Sequence, residues 1–94
     1  MRKSYIKRLD NYCEKICALE QKADDVEWEA NDYRRRGWIG KADSLMDKAM
    51  VLNKRAWSWD ERAEALIQKM TEEEFNASKY GFVFCVSYEE CIEL

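Results

Sequence analysis

The sequence predicts an all-α protein, an antiparallel two-helix coiled-coil hairpin with a short C-terminal extension packed on its side. Three observations carry that prediction. Apolar or small residues recur at alternating steps of four and three through two long segments, the spacing of one face of a coiled-coil helix. Proline is absent and glycine occurs only at 37, 40 and 81, so the one strong break between the long segments is Gly37-Trp38-Ile39-Gly40. The length of 94 residues, 37% charged and 47% hydrophobic, suits one folded domain with a modest core, spanning 1–94.

The first helix is expected over about residues 4–36, with its seam at Tyr5, Leu9, Tyr12, Ile16, Leu19, Ala23, Val26, Ala30, Tyr33 and Gly37. A turn at 37–40 follows. The second helix is expected over about 41–70, with Ala42, Leu45, Ala49, Leu52, Ala56, Trp59, Ala63, Leu66 and Met70 on its seam. Each helix of ~30 residues is ~45 Å long at 1.5 Å per residue. So short a connection makes them antiparallel, and symmetric pairing about the turn sets Ala30 against Leu45, Val26 against Ala49, Leu19 against Ala56 and Ile16 against Trp59. Nearly every layer matches a large side chain with a small one, which levels the layer volumes. The alternative of two helices each pairing with another chain is disfavoured by the glycine-bounded turn.

A second apolar stripe runs beside the seam, with Ile6, Cys13 and Cys17 on the first helix and Met46, Met50, Trp57 and Ile67 on the second. The tail, 71–94, is the only material left to cover it. Thr71 with Glu74, and Ser87 with Glu90, match the Ser/Thr-x-x-Glu capping box, which predicts short helices at Glu72 to Ala77 and Tyr88 to Glu93. Between them, Tyr80 to Ser87 is aromatic and β-branched enough for one strand, or else a turn or short helix against the stripe.

Composition narrows the function. No apolar run reaches the ~20 residues of a membrane span, and the basic N-terminus has no apolar stretch behind it, so a cytoplasmic protein without membrane contact is expected. Histidine is absent, which removes the commonest general base and nitrogen ligand for metals. There is no phosphate loop or nucleophile elbow, so no catalytic residue, cofactor or enzymatic activity is expected. Cys13 and Cys17 lie one helical turn apart and Cys85 and Cys91 lie in the tail; the spacing of the second pair departs from that of most zinc loops and of twin Cys-x3-Cys hairpins, and that pair lies outside the second helix. Reduced, half-buried thiols are the expectation.

The charge map points to binding. Residues 1–70 hold 15 basic and 13 acidic residues, a net of +2, whereas 71–94 hold 1 basic and 6 acidic, a net of −5. At the hairpin tip, Arg34, Arg35, Arg36 and Trp38 stand where the core does not reach, and arginine and tryptophan are enriched in binding hot spots. Trp28 occupies a heptad position opposite the seam, where solvent is expected. Trp28, Arg34, Arg35, Arg36 and Trp38 are therefore candidate partner contacts that the fold itself does not need. The competing reading of Trp38 is an aromatic folded back over the turn, with basic residues closing the helix end. Glu72, Glu73 and Glu74 are candidates on the acidic arm, which also includes Glu93 and, with Asp24 to Asp32, offers a surface in place of phosphates.

In size, aromatic-rich polarity and lack of an enzyme signature, the chain resembles small phage or mobile-element inhibitors such as anti-CRISPR proteins. The resemblance implies a non-enzymatic inhibitor that occludes a nucleic-acid-processing nuclease complex in a host cell; it transfers no residue. Two alternatives stand beside it. One is a nucleic-acid-binding regulator that uses the arginine tip, disfavoured because the basic N-terminus and the tip lie at opposite ends of the hairpin. The other is a structural subunit of a helical assembly, or a homodimer.

Overall fold

The computed structural model describes residues 2–92. It contains five helices among those residues: α1 (Lys3–Arg35), α2 (Ile39–Ile67), α3 (Glu72–Ala77), α4 (Tyr80–Phe84) and α5 (Tyr88–Ile92). α1 and α2 form an antiparallel rod, and α3 to α5 pack on one flank of its open end, giving extents of 54 × 24 × 18 Å. No helix is long and apolar enough to cross a membrane among these residues.

The rod follows from the seam. Every expected seam position from Tyr5 to Tyr33 and from Ala42 to Met70 is buried or half-buried. All six seam alanines, at 23, 30, 42, 49, 56 and 63, are 2% exposed or less. Alanine lets the facing backbone approach, while larger partners such as Tyr33, Leu45, Val26 and Leu19 reach towards the rim and stay half-buried. Ala49→Leu is expected to overpack this interface and to lower stability by about 1–3 kcal/mol in a urea melt. An unchanged midpoint would show that the interface has room at Ala49.

The turn is tighter than the sequence suggests. Gly37 adopts φ +86°, and two hydrogen bonds close the end of α1: Gly37 N–H to the Arg34 carbonyl (3.1 Å) and Trp38 N–H to the Tyr33 carbonyl (2.9 Å). This is a Schellman cap, in which glycine supplies the left-handed residue without steric cost. One such residue completes the reversal, so α2 begins at Ile39 and Gly40 lies in its first turn rather than in the loop.

At the other end α2 stops at Ile67, three residues before the expected boundary. Lys69 N–H to Leu66 O (2.9 Å) and Met70 N–H to Ile67 O (3.0 Å) tighten the chain into a turn that swings Thr71 back towards α1. The freed carbonyls find side-chain donors: the Arg2 guanidinium donates to Lys69 O (2.7 Å) and the Tyr88 hydroxyl to Met70 O (2.7 Å).

The capping box at Thr71 forms as expected. Glu74 N–H donates to Thr71 Oγ1 (3.2 Å) and Thr71 N–H to Glu74 Oε1 (2.9 Å). Ser87 likewise caps α5 through Glu90 N–H (3.2 Å). The expected end of that helix at Glu93 lies outside the described residues. The strand alternative for Tyr80 to Ser87 is not adopted. A lone strand has no ladder partner, whereas α4 bonds backbone groups locally (Val83 N–H to Lys79 O, 2.9 Å) and is closed after Phe84 by Cys85, which takes a left-handed conformation (φ 54°) with Val86 N–H bonded to Gly81 O (3.1 Å). Gly81 is required there by proximity: a Cβ would lie 2.9 Å from the Phe75 ring and 3.0 Å from the Val86 carbonyl oxygen.

The core lies at the open end, where Leu9, Cys13, Ile16, Ala63, Leu66, Ile67 and Met70 meet Phe75 and Tyr80 of the tail. Tail helices of five or six residues are each only ~8–9 Å long. The tail therefore covers Ile6, Cys13, Cys17 and Ile67 but leaves Met50 and Trp57 exposed, correcting the expectation that it shields the whole second stripe.

Candidate functional site

The sequence-derived candidates fall into two groups at opposite poles of the rod. At the tip, Trp28 is 68% exposed and lines a shallow hollow with Asn31, Arg34 and Arg35. The arginines are engaged within the chain: Arg34 with Asp43 (3.5 Å), Arg35 with Asp32 (4.0 Å) and Arg36 with Asp32 (3.2 Å). Two carboxylates thus offset much of the positive field on which a phosphate-binding tip would depend.

Trp38 takes the folded-back position. Its indole stacks on Tyr33 (centroids 5.6 Å apart, planes 16° apart), the contact that accompanies a Schellman cap. Lys41 Nζ lies 4.7 Å from the Tyr33 ring centroid and 5.7 Å from that of Trp38. The expectation that the fold does not use Trp38 is therefore corrected, although the ring remains 56% exposed and able to touch a partner.

At the far pole Glu72 and Glu73 are exposed, but Glu74 departs from the expected acidic surface. Its carboxylate is 1% exposed and accepts three hydrogen bonds from Arg2: backbone N–H (2.7 Å), Nε (3.1 Å) and a terminal guanidinium nitrogen (2.9 Å). Bonding to the Arg2 side chain, and next to the Thr71 N–H, holds the Glu74 carboxyl well below its ordinary value of 4.5. Glu74 is thus a latch joining the starts of α1 and α3, and it is withdrawn from any partner surface. The basic N-terminus loses Arg2 to the same latch.

The sign of the pH dependence follows from that shift. A carboxyl held lower in the folded than in the unfolded chain stabilises fully above its unfolded value, and the contribution drains away as pH falls towards the folded value. Acidification below pH 4.5 is accordingly expected to lower the hydrogen-exchange protection factors of the tail amides before the rod melts. Glu74→Gln should remove this acid sensitivity. Equal acid sensitivity in parent and variant would show that Glu74 is not the latch.

Other tail anchors are polar groups taken from the rod. Asp10 accepts from Lys79 N–H at the start of α4 (2.7 Å), Lys79 Nζ approaches Glu14 (3.6 Å), and the Tyr80 hydroxyl donates to Asp60 (2.9 Å). Burial, with Asp60 beside it, pushes the Tyr80 phenol well up from 10.0, so it remains a donor. Burial, with Cys17 next to it, pushes the Cys13 thiol up to about 11. That disfavours the reactive thiolate. All four cysteines are free thiols, and no group of three or more His, Cys, Asp or Glu among the described residues is placed to hold a metal.

One feature is missing from the sequence-derived set. Met46, Met50, Asn53, Lys54 and Trp57 of α2, with Glu27 of α1, line an open, mainly apolar groove of about 290 Å³. Met50 is 57% exposed and Trp57 66%. The signal lay in the tail's length: as short helices it reaches along only part of the rod. Trp59, two residues on, shows the contrast, being half-buried against Tyr12 (5.5 Å) with Lys15 and Arg62 over its ring.

Comparison of the chain with protein-family models, with curated proteins and with solved structures finds no match.

Proposed function

We propose that this protein is a non-enzymatic binding module that works by occupying the surface of another protein. The observation that carries this reading is the exposure of large aromatics on a rigid helical scaffold: Trp28, Trp38 and Trp57 are 68%, 56% and 66% exposed. Such side chains bring large contact area at little cost in conformational entropy, and tryptophan is among the residues most enriched at hot spots. The specific form proposed is a small phage or mobile-element inhibitor that occludes a nuclease complex in the cytoplasm of its host.

The test is a cleavage assay with RNA-guided nucleases in the presence of the purified protein, repeated with Trp28→Ala and Trp57→Ala. Inhibition by the parent and its loss by at least ~10-fold in either variant, at unchanged melting temperature, supports the reading. No inhibition of any nuclease, with no complex formed, overturns the inhibitor form.

A further inference from the structure

The two walls of the Met46–Trp57 groove differ in chemistry, and the difference points to an occupant. On α2 the stripe 46, 50, 53, 57, 60, 64, 67 advances in steps of three and four, so these residues share one side of the helix. On α1 the matching stripe is Ile6, Asp10, Cys13, Cys17, Glu20, Asp24 and Glu27. The tail lies over the open-end half of this double stripe, where Ile6, Cys13, Cys17 and Ile67 pack against it and Asp10 and Asp60 bond to it. The tip-end half continues uncovered. There α2 lines the groove with Met46, Met50 and Trp57 and α1 with Glu27, while Glu20 and Asp24, both exposed, precede Glu27 on the same stripe of α1 by their spacing.

Glu27 accepts a long hydrogen bond from Asn53 across the groove (3.5 Å), and Glu20, Asp24 and Glu27 form no ion pair among the described residues. Lys54 is the groove's one lining cation, against this acidic row. The tail shows what covers the other half: short helices with aromatic anchors, whose cation, Lys79, is set against Glu14 of α1. In a two-fold pairing through this face a second copy would bring the same three carboxylates to the contact, which disfavours that dimer electrostatically.

We infer that the groove between Glu20–Glu27 of α1 and Met46–Trp57 of α2 docks an amphipathic helix of a partner protein, with its apolar face on Met50 and Trp57 and a lysine- or arginine-bearing flank along α1. This rests on the protein-binding reading above and adds to it a surface and a partner chemistry. The mode is helix-in-groove recognition, with apolar anchors for affinity and flanking charge for orientation.

The probes are two synthetic amphipathic helices of ~18 residues with the same leucine face, one with lysines on a flank and one with glutamates there. Binding to the full chain is followed by fluorescence anisotropy. The lysine peptide is expected to bind at least ~10-fold tighter than the glutamate peptide. Trp57→Ala should weaken it by ~10-fold or more, and the triple variant Glu20→Lys, Asp24→Lys, Glu27→Lys should invert the preference. Reversal of Glu72, Glu73 and Glu89 in the tail should leave both affinities within ~2-fold.

Equal binding of the two peptides, binding of neither, or a loss that follows the tail acids instead of the α1 acids overturns the inference. So does a dimer mass by light scattering that Trp57→Ala abolishes, since the occupant is then a second copy. If nuclease inhibition survives the groove variants but fails with Trp28→Ala, the inhibitor reading stands and the groove inference falls. Selective lysine-peptide binding without inhibition of any nuclease upholds the groove and removes the inhibitor reading.

Discussion

Phe75→Ala is expected to lower stability by about 3–5 kcal/mol, the usual range for deleting a fully buried aromatic ring. Phe75 is 2% exposed and sits at the centre of the tail, with Tyr88 at 5.7 Å and Tyr80 at 6.0 Å between ring centroids and the Gly81 backbone against its edge. Helices of five or six residues do not persist alone, so α3 to α5 depend on this anchor and on their contacts with the rod. The void would also expose the Ile67 and Met70 side of the core. For a chain of this size the loss is a large fraction of the whole, on the order of 5–14 kcal/mol. Urea melts measure the total, and hydrogen exchange assigns it: tail amides are expected to lose protection first, with the α1 and α2 amides at the tip affected least. A loss under about 1 kcal/mol would mean that the tail collapses around the missing ring or contributes little to the fold.

Leu9→Ala is the second large effect, at about 2–5 kcal/mol, and it is best measured against Leu45→Ala. Leu9 is fully buried where α1, α2 and the tail meet, so little can move in to fill its place. Leu45 lies towards the tip, half-buried between two helices with no third layer, and solvent can take up part of the vacated space. Its substitution is expected to cost less than half as much. The pair therefore tests whether stability is graded along the rod, with a three-layer end and a two-layer end. Equal losses would show that the seam alone sets the stability. A graded rod places its least stable segment beside the tip and the open groove, the surfaces proposed to meet a partner.

The hairpin was legible in the residues because a heptad seam is a local, repeated signal: each helix must bury the face that recurs every three and four positions, whatever the rest of the chain does. The capping box at Thr71 and the side-chain cap at Ser87 were legible for the same reason, since both partners of each bond lie within four residues of one another. Within the candidate site, the exposure of Trp28 followed from its heptad position alone. The remaining features depend on pairs far apart in the chain. Glu74 reads as the capping-box partner of Thr71 on an exposed acidic arm until Arg2, 72 positions away, is brought against it and buries it. Arg34 looks free until the turn sets Asp43 beside it, whereas Arg35 and Arg36 pair locally with Asp32 of α1. Trp57 and Ile67 occupy the same stripe, and only the path of the tail decides that Ile67 is sealed and Trp57 is left in solvent. The sequence by itself determined which faces are apolar and where the chain reverses, because those are properties of neighbours a few residues apart. The tertiary structure alone decided which apolar faces are covered and which distant charges meet, as Arg2 meets Glu74, because both depend on where a short tail ends up on a long rod.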